Sequence, residues 1–222
     1  MFPLRDSNPL RGFPVITLGL ILVDIYVFVQ QLLAPSIETF TVQYALVPAN
    51  VNFSDFGSLT PFLTANFLHG GFLHIASNMW FLWIFGDNVE AALGKIKYLF
   101  LYLISGILAM LTQYFFFQES TIPMLGASGA VAGVLAGYLI LFPRHTIDTL
   151  VPVFLFPVVI GIPAAIMIVY WFVIQFFSGI TSIIDTSAIY GGVAYWAHIG
   201  GFLAGIILTG ILKNSKPNYG SN

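Results

Sequence analysis

Two residues that could perform nucleophilic chemistry, Ser128 and His198, lie in strongly apolar parts of the chain. A serine hydroxyl attacks a carbonyl carbon when a neighbouring base takes its proton, and histidine, which is neutral near pH 7, suits that role. We therefore predict that Ser128 attacks while His198 acts first as a base and then as an acid. The chain contains no cysteine, which excludes disulfides, thiolate metal sites and cysteine nucleophiles.

Donors for an oxyanion are also present, and attack on an amide carbonyl requires them. His74 and Asn78 are four residues apart and therefore share one face of a helix. The Asn78 amide, the His74 ring and the backbone amide of Ser128, near a predicted helix N-terminus, are the candidate donors. Each residue taken alone also has a structural interpretation: Ser128 as a helix cap, Asn78 as an interhelical hydrogen bond and His198 as a structural histidine.

The sequence predicts neither a metal site nor a cofactor. His69 and His74 are five residues apart, no H-E-x-x-H motif occurs, and no carboxylate joins the two histidines. An α/β-hydrolase is excluded as well, because the stretch around Ser128 lacks the second glycine of G-x-S-x-G and no sheet is predicted to hold such an elbow.

The elements that must position these residues are membrane helices. Of the 222 residues 58% are hydrophobic and only 7% are charged, against roughly 25% charged in soluble proteins. The mean hydropathy is +0.92, so the chain has too little polar surface for a water-facing body, which excludes a soluble globule. The net charge of -2 gives no indication of nucleic-acid binding, and we expect no nucleic-acid partner.

Six apolar runs are long enough to cross a bilayer core, which needs about 20 residues per helix. We therefore predict an all-α membrane protein in which residues 1–222 form a single six-helix transmembrane domain. The predicted spans are Phe13–Leu33, Phe67–Phe85, Ile96–Phe117, Met124–Leu141, Leu150–Ile180 and Gly192–Leu212. Prolines at 152, 157 and 163 interrupt the fifth run, so we expect an interfacial or irregular segment followed by one span near Pro163–Phe177.

Lysine and arginine support this number of spans because cytoplasmic loops attract them. With six spans, every basic residue falls on one face of the membrane: Arg5, Arg11, Lys95, Lys97, Arg144, Lys213 and Lys216. We therefore expect an integral, multi-pass protein of a prokaryotic plasma membrane with both termini cytoplasmic.

Ser128 and His198 are expected at the same membrane depth. Ser128 lies sixteen positions before Arg144 and His198 fifteen before Lys213, which places both roughly 22–24 Å from the cytoplasmic edge. Small residues at four-residue spacing begin beside each of them and favour close helix packing. These are Gly129, Gly133 and Gly137 in one span, and Ala197, Gly201 and Gly205 in the other. A hydrogen-bonded pair follows as a hypothesis, and the absence of a carboxylate at that level implies a dyad rather than a triad.

These motifs resemble those of the rhomboid intramembrane serine proteases, from about Leu59 to Leu212. The resemblance rests on His69-x4-His74-x3-Asn78, Phe85–Glu90, Gly126-x-Ser128-Gly129 and Ala197-His198-x2-Gly201-x3-Gly205. It implies a six-helix rhomboid-like bundle in which Ser128 is the nucleophile, His198 is the base, and His74 and Asn78 assist the oxyanion. It also implies lateral access of the substrate near span five and a mobile cap around Thr181–Gly191.

Two features depart from the family pattern. The Trp-Arg pair that some relatives carry in the first outer loop is absent from Ala34–Asn66. Ala132 stands where some relatives have a tyrosine that stacks on the histidine, so His198 needs another support, for which Trp196 and Tyr195 are candidates. Two residues of the matching motifs, His69 and Gly126, are further candidate supporting residues.

We therefore expect an intramembrane serine endopeptidase that cleaves single-span or other membrane proteins near the outer face of the bilayer. It would prefer segments with small or helix-weakening residues, and its activity would fall below about pH 6.5, the ordinary pKa of histidine. Two alternatives stay open. One is a non-proteolytic rhomboid-like protein that binds membrane clients, and the other is a small transporter with a broken helix at Gly126–Ser128.

Overall fold

The computed structural model describes residues 2–8, 12–153, 156–184 and 193–213, and within these ranges it is mostly helical. The α-helices there are Val15–Leu33 (α1), Ile37–Tyr44 (α2), Pro61–Thr64 (α3), Phe72–Leu93 (α4), Lys95–Phe116 (α5), Ser128–Leu141 (α6), Ala164–Ile184 (α7) and Tyr195–Leu212 (α8). The strands are Phe2–Asp6 (β1), Thr146–Val153 (β2) and Phe156–Pro163 (β3), and they form one antiparallel sheet in the order β1-β2-β3.

The helical membrane class predicted from composition is confirmed. Among the described helices, α1, α5, α7 and α8 are each long and apolar enough to cross a membrane. Helix α6 is apolar but has only 14 residues, and α4 has 22 residues but carries several polar side chains. That all six of these helices cross the membrane stays a prediction.

Helix α6 lies at the centre of the bundle, where it packs against α4, α5, α7 and α8. Every residue from Gly129 to Tyr138 is buried. A Cβ atom added at Gly201 would clash with the carbonyl group of Gly129, and one added at Gly205 would clash with that of Gly133. The predicted contact between the two stripes of small residues is therefore confirmed, and it brings the first turns of α6 and α8 together.

Helix α4 begins and ends later than the second predicted span, Phe67–Phe85. It continues past Phe85 because other elements satisfy its polar residues. The Glu90 carboxylate accepts hydrogen bonds from the backbone amides of Ile16 (3.0 Å) and Thr17 (2.8 Å), and it thereby caps the first turn of α1. The helix ends at Gly94, whose φ of +84° lies in the left-handed region that favours glycine.

The segment that was expected to be interfacial or irregular is a β-hairpin, formed by β2 and β3. The Ala164 amide donates to the His145 carbonyl over 2.8 Å, in register with the hairpin. Since hydrogen-bonded and non-hydrogen-bonded pairs alternate in an antiparallel ladder, the facing residues Pro152 and Pro157 occupy a pair that makes no hydrogen bonds. The prolines are therefore compatible with the sheet, which is why the expectation of irregular backbone was wrong, whereas an interfacial position of this segment stays a prediction.

The hairpin leads directly into α7. This helix begins at Ala164, as expected for a span near Pro163–Phe177, but it continues to Ile184. On its other edge β2 pairs with β1, and Arg5 Nε lies 2.7 Å from Asp148 Oδ2 in an ion pair. The sheet thus joins the start of the chain to the segment between α6 and α7.

The loop between α1 and α4, residues 34–71, contains α2, α3 and three short 3-10 helices. The backbones of Leu46 and Met124 exchange two hydrogen bonds, of 3.0 and 2.8 Å. A separate buried cluster consists of Leu46, Phe62, Ala65, Met110 and Met124. The loop is therefore anchored on α5 and on the segment before α6 by apolar packing and backbone pairing, without the Trp-Arg pair.

Candidate active site

Ser128 is the first residue of α6, and its hydroxyl faces His198. The Ser128 Oγ atom lies 2.8 Å from His198 Nε2. No side chain caps α6, so the interpretation of Ser128 as a helix cap is wrong. The Ser128 backbone amide lies at the N-terminus of the helix and has no acceptor among the described residues. Gly126, with a φ of +125°, turns the chain into α6 and donates its amide hydrogen to the Ala65 carbonyl (2.9 Å).

His198 lies in the first turn of α8 and is held from two sides. Gln113 Oε1 accepts a hydrogen bond from the Ala197 amide (3.1 Å), which ties this turn to α5. On the other side, His198 Nδ1 lies 2.8 Å from Gln175 Oε1 of α7. The ring of Trp171, also on α7, packs against the imidazole at a centroid distance of 5.8 Å.

Sequence reasoning missed Gln175 and Trp171. A signal for Gln175 was present, because it is the single side-chain amide in the apolar run Ala164–Phe177, and a polar residue inside a span is a functional candidate. Trp171 carried no such signal, since an aromatic residue in an apolar helix is ordinary.

Trp196, a predicted support of His198, makes its contacts elsewhere. Its indole stacks on Phe116 with ring centroids 3.7 Å apart, and its Nε1–H donates to the Gly179 carbonyl over 3.0 Å. Neither contact involves His198. The tryptophan instead connects α7 and α5 to the start of α8.

His74 and Asn78 project from α4 into the same site as Ser128. The Gly70 amide donates to His74 Nδ1 (3.3 Å), so a neutral His74 ring carries its proton on Nε2. The ring lies against Gly126, where an added Cβ would be 2.8 Å from Nε2. Asn78 is buried, and its Nδ2 has no hydrogen-bond partner among the described residues. Both side chains therefore have donor hydrogens free for a ligand.

His69 lies behind His74 and does not line the cavity. Its ring is fully buried and meets the His74 ring edge-on at 5.2 Å and the Phe28 ring at 6.5 Å. Its backbone exchanges two hydrogen bonds with the Gln31 side chain, which accepts from the His69 amide (3.1 Å) and donates to its carbonyl (3.2 Å). The position of His69 is thus suited to holding His74 in place.

A cavity of about 800 Å³ joins these residues, which is large enough for a peptide segment. Its walls come from α4, α6, α7 and the residues just before α8. Its lining is mainly apolar, and among the described residues that line it none carries a formal charge. Within the described ranges no three potential metal ligands come together. The cavity can therefore accept an apolar chain and present it to the hydroxyl, the imidazole and the free donors.

The expected cap around Thr181–Gly191 is described only in part. Its first residues, as far as Ile184, belong to α7. Residues 185–192 lie outside the described residues.

Comparison with known proteins identifies the family. A profile of the Rhomboid domain matches residues 57–215. RHOMBOID-like protein 4 of Arabidopsis thaliana is 33% identical over 159 residues, which cover 71% of this chain and 35% of that protein. Presenilin-associated rhomboid-like protein, mitochondrial, of Mus musculus is 30% identical over 172 residues, which cover 71% of this chain and 41% of that protein. Rhomboid protein 1, mitochondrial, of Saccharomyces cerevisiae is 32% identical over 146 residues, which cover 64% of this chain and 38% of that protein.

The chain spans less than half the length of each of these relatives. All three relatives are eukaryotic and two are named as mitochondrial, so they do not support the expected prokaryotic plasma membrane. The matching domain includes the whole of α4 to α8 and every side chain of the cavity described above. This chain is a multi-pass membrane protein that belongs to the rhomboid family.

Proposed function

We propose that this protein is an intramembrane serine endopeptidase that cleaves other membrane proteins. The observation that carries the proposal is the 2.8 Å separation between Ser128 Oγ and His198 Nε2 in the wall of an apolar cavity. This distance allows the imidazole to take the hydroxyl proton as the oxygen attacks. Membership of the rhomboid family adds to the proposal, because its fold would deliver the site to a membrane-embedded substrate.

The first half of the reaction forms an acyl-enzyme. The Ser128 Oγ atom bonds to the scissile carbonyl carbon while its proton passes to His198 Nε2, and the carbonyl oxygen becomes an oxyanion. The bond between this carbon and the amide nitrogen then breaks, and the proton on Nε2 passes to the leaving amine. In the second half a water molecule gives a proton to His198 and attacks the ester, and Ser128 recovers its proton as the acid product leaves.

Three donors from residues that line the cavity are available to the oxyanion. The Ser128 amide lies at the start of α6, where the helix dipole favours negative charge. Asn78 Nδ2 is unengaged by the described residues, and the His74 tautomer set by the Gly70 amide directs an N–H group from Nε2. Donors that are already oriented stabilise developing charge strongly in a water-poor site, and removal of one such donor costs about 10²–10³-fold in kcat.

The proposed orientation of the protein in the membrane follows from the positions of its basic residues. Helices α6 and α8 begin beside Ser128 and His198 and run toward Arg144 and Lys213. If these basic ends face the cytoplasm, the reacting atoms lie about 20 Å away at 1.5 Å per residue. Both termini are then cytoplasmic, and cleavage takes place near the opposite face of the bilayer.

The test is cleavage of a single-span reporter by the reconstituted protein. Wild type and Ser54→Ala, a control at an exposed serine of the first outer loop, should release fragments, whereas Ser128→Ala and His198→Ala should not. A fluorophosphonate should label Ser128 in the wild type and lose this labelling in His198→Ala. Fragments released by Ser128→Ala would refute the proposal, and a reporter that binds wild type without being cut would favour the client-binding alternative.

A further inference from the structure

We propose that Gln175 is a positioning residue for His198, so that a side chain of α7 orients the Ser128–His198 pair. This inference rests on the proposed function. The imidazole bridges two helices: Nε2 lies 2.8 Å from Ser128 Oγ, and Nδ1 lies 2.8 Å from Gln175 Oε1. Gln175 is 9% exposed, so water does not compete freely for its amide oxygen.

The amide oxygen selects the tautomer that the reaction needs. A carbonyl oxygen only accepts hydrogen bonds, so the neutral imidazole must carry its proton on Nδ1 when it bonds to Gln175 Oε1. The lone pair then lies on Nε2, directed at the Ser128 hydroxyl. The other tautomer would direct an N–H group at this hydroxyl and could not take its proton. The same amide oxygen still accepts from Nδ1 when the ring becomes doubly protonated during attack.

An amide also performs this role without burying a charge. A carboxylate at this depth would need a partner to offset its desolvation, and no Asp or Glu side chain lines the cavity among the described residues. The titratable group that faces His198 across the cavity is His74 of α4, while α5, α6 and α7 present Gln113, Ser128 and Gln175 to the first turn of α8. Among the described residues, the hydrogen bond that holds His198 Nδ1 is therefore an uncharged one, with Gln175, and the Trp171 ring adds packing against the imidazole.

Because Gln175 belongs to α7, its hydrogen bond makes the orientation of the His198 imidazole depend on the position of α7. The helix has a largely exposed outer face, and in its second half only Gln175, Gly179 and Ser182 are buried. Among the described residues, two hydrogen bonds link α7 to α8: the one between Gln175 and His198, and the one that Trp196 Nε1 donates to the Gly179 carbonyl. Since α7 also supplies a wall of the cavity through Trp171, displacement of α7 would release the imidazole as it opened that wall. Catalysis thus requires α7 to be docked on α8.

The experiment measures kcat, KM and the pH–rate profile of reporter cleavage for Gln175→Leu and Gln175→Glu. Phe176→Leu, at the neighbouring half-exposed apolar position, is the matched control and should behave as wild type. Gln175→Leu leaves Nδ1–H without an acceptor, so kcat should fall roughly 10- to 100-fold with little change in KM. Gln175→Glu should keep activity but shift the acidic limb of the profile to higher pH by about one unit or more, because a carboxylate stabilises the protonated ring.

Wild-type kcat and an unshifted profile in both variants would overturn the inference. If Gln175→Leu unfolds, as judged by thermal unfolding in detergent, the profile of Gln175→Glu decides alone. The two proposals fail differently. A wild type that neither cleaves the reporter nor reacts with fluorophosphonate at Ser128 refutes the protease and the role of Gln175 together, whereas an active wild type with indifferent Gln175 variants refutes the role of Gln175 alone.

Discussion

Replacement of Gly126 by alanine should damage the oxyanion site while leaving the Ser128–His198 pair intact. A Cβ atom at this position would lie 2.7 Å from His74 Cε1 and 2.8 Å from His74 Nε2. Ordinary contacts begin about 0.6 Å farther out, so the imidazole must move by about that distance. In addition, the φ of +125° at Gly126 costs a residue with a side chain about 1–3 kcal/mol.

The expected loss of kcat follows from the displacement of the donor. Removal of an oxyanion donor costs about 10²–10³-fold in kcat, and a displacement of about 1 Å can cost about 10²-fold. We therefore expect Gly126→Ala to lower kcat by about 10- to 100-fold, which is less than the effect of His74→Ala. Fluorophosphonate should still label Ser128, because the base is unaffected.

Gly12→Ala is the matched control for backbone strain. Gly12 has a similar φ of +121°, but no atom of the described residues lies within 4 Å of an added Cβ. Both alanine variants should lower Tm by about 2–4 °C for each kcal/mol of strain. Only Gly126→Ala should lower kcat.

A double-mutant cycle tests the mechanism. If the methyl group acts through the His74 ring, Gly126→Ala should have little further effect on kcat in a His74→Ala background, where the clash is absent. If the two substitutions instead lower kcat independently, so that their fold-losses multiply in the double variant, action through the His74 ring is refuted. The Gly126→Ala substitution would then be acting on another part of the site.

Three further predictions concern stability and the substrate. Glu90→Gln weakens the cap on Ile16 and Thr17, so Tm should fall by the equivalent of about 1.5–3 kcal/mol with kcat unchanged, and an unaltered Tm would contradict this role. Burial raises the pKa of the Asp6 carboxyl above its ordinary value. The contribution of Asp6 to the free energy of unfolding is therefore full below about pH 4 and is lost as the pH rises through the raised pKa. The Tm of the wild type should therefore decline over that interval more than the Tm of Asp6→Asn, and equal slopes would argue against the assignment. Glycine or proline scanned through the reporter's transmembrane segment should raise cleavage near the outer boundary, because an intact helix hides its carbonyls in its own hydrogen bonds, and indifference to the scan would count against this preference.

The pairing of Ser128 with His198 was predictable because two independent patterns agreed. Each residue stands a similar number of positions before a basic helix end, and each begins a stripe of small residues. Depth in a bilayer follows from residue count because the rise of a helix is constant. Small residues mark the face of closest approach because only they allow two backbones to meet.

The extent of α4 and the hairpin were not predictable in the same way. Helix α4 continues beyond its apolar run because Glu90 is satisfied by the start of α1, 73 residues or more away in the chain. The hairpin contains three prolines that would interrupt a helix, and they are tolerated because the pairing places Pro152 opposite Pro157. In the first case a distant partner donates the hydrogen bonds that Glu90 accepts, and in the second the facing strand requires no hydrogen bond from the prolines. The local sequence does not indicate either partner.

The amino-acid sequence by itself determined that the chain is a mainly helical membrane protein, approximately where its long apolar helices lie, and that the Ser128 hydroxyl pairs with the His198 imidazole. It did so because hydropathy, helical rise and side-chain size are properties of each segment alone. The support of His198 by Gln175 and Trp171 was decided only by the tertiary structure. Gln175 marks one face of α7 in the sequence, but nothing in the sequence of this helix says that this face meets His198 of α8 rather than another helix. Only the packing of the whole bundle decides that.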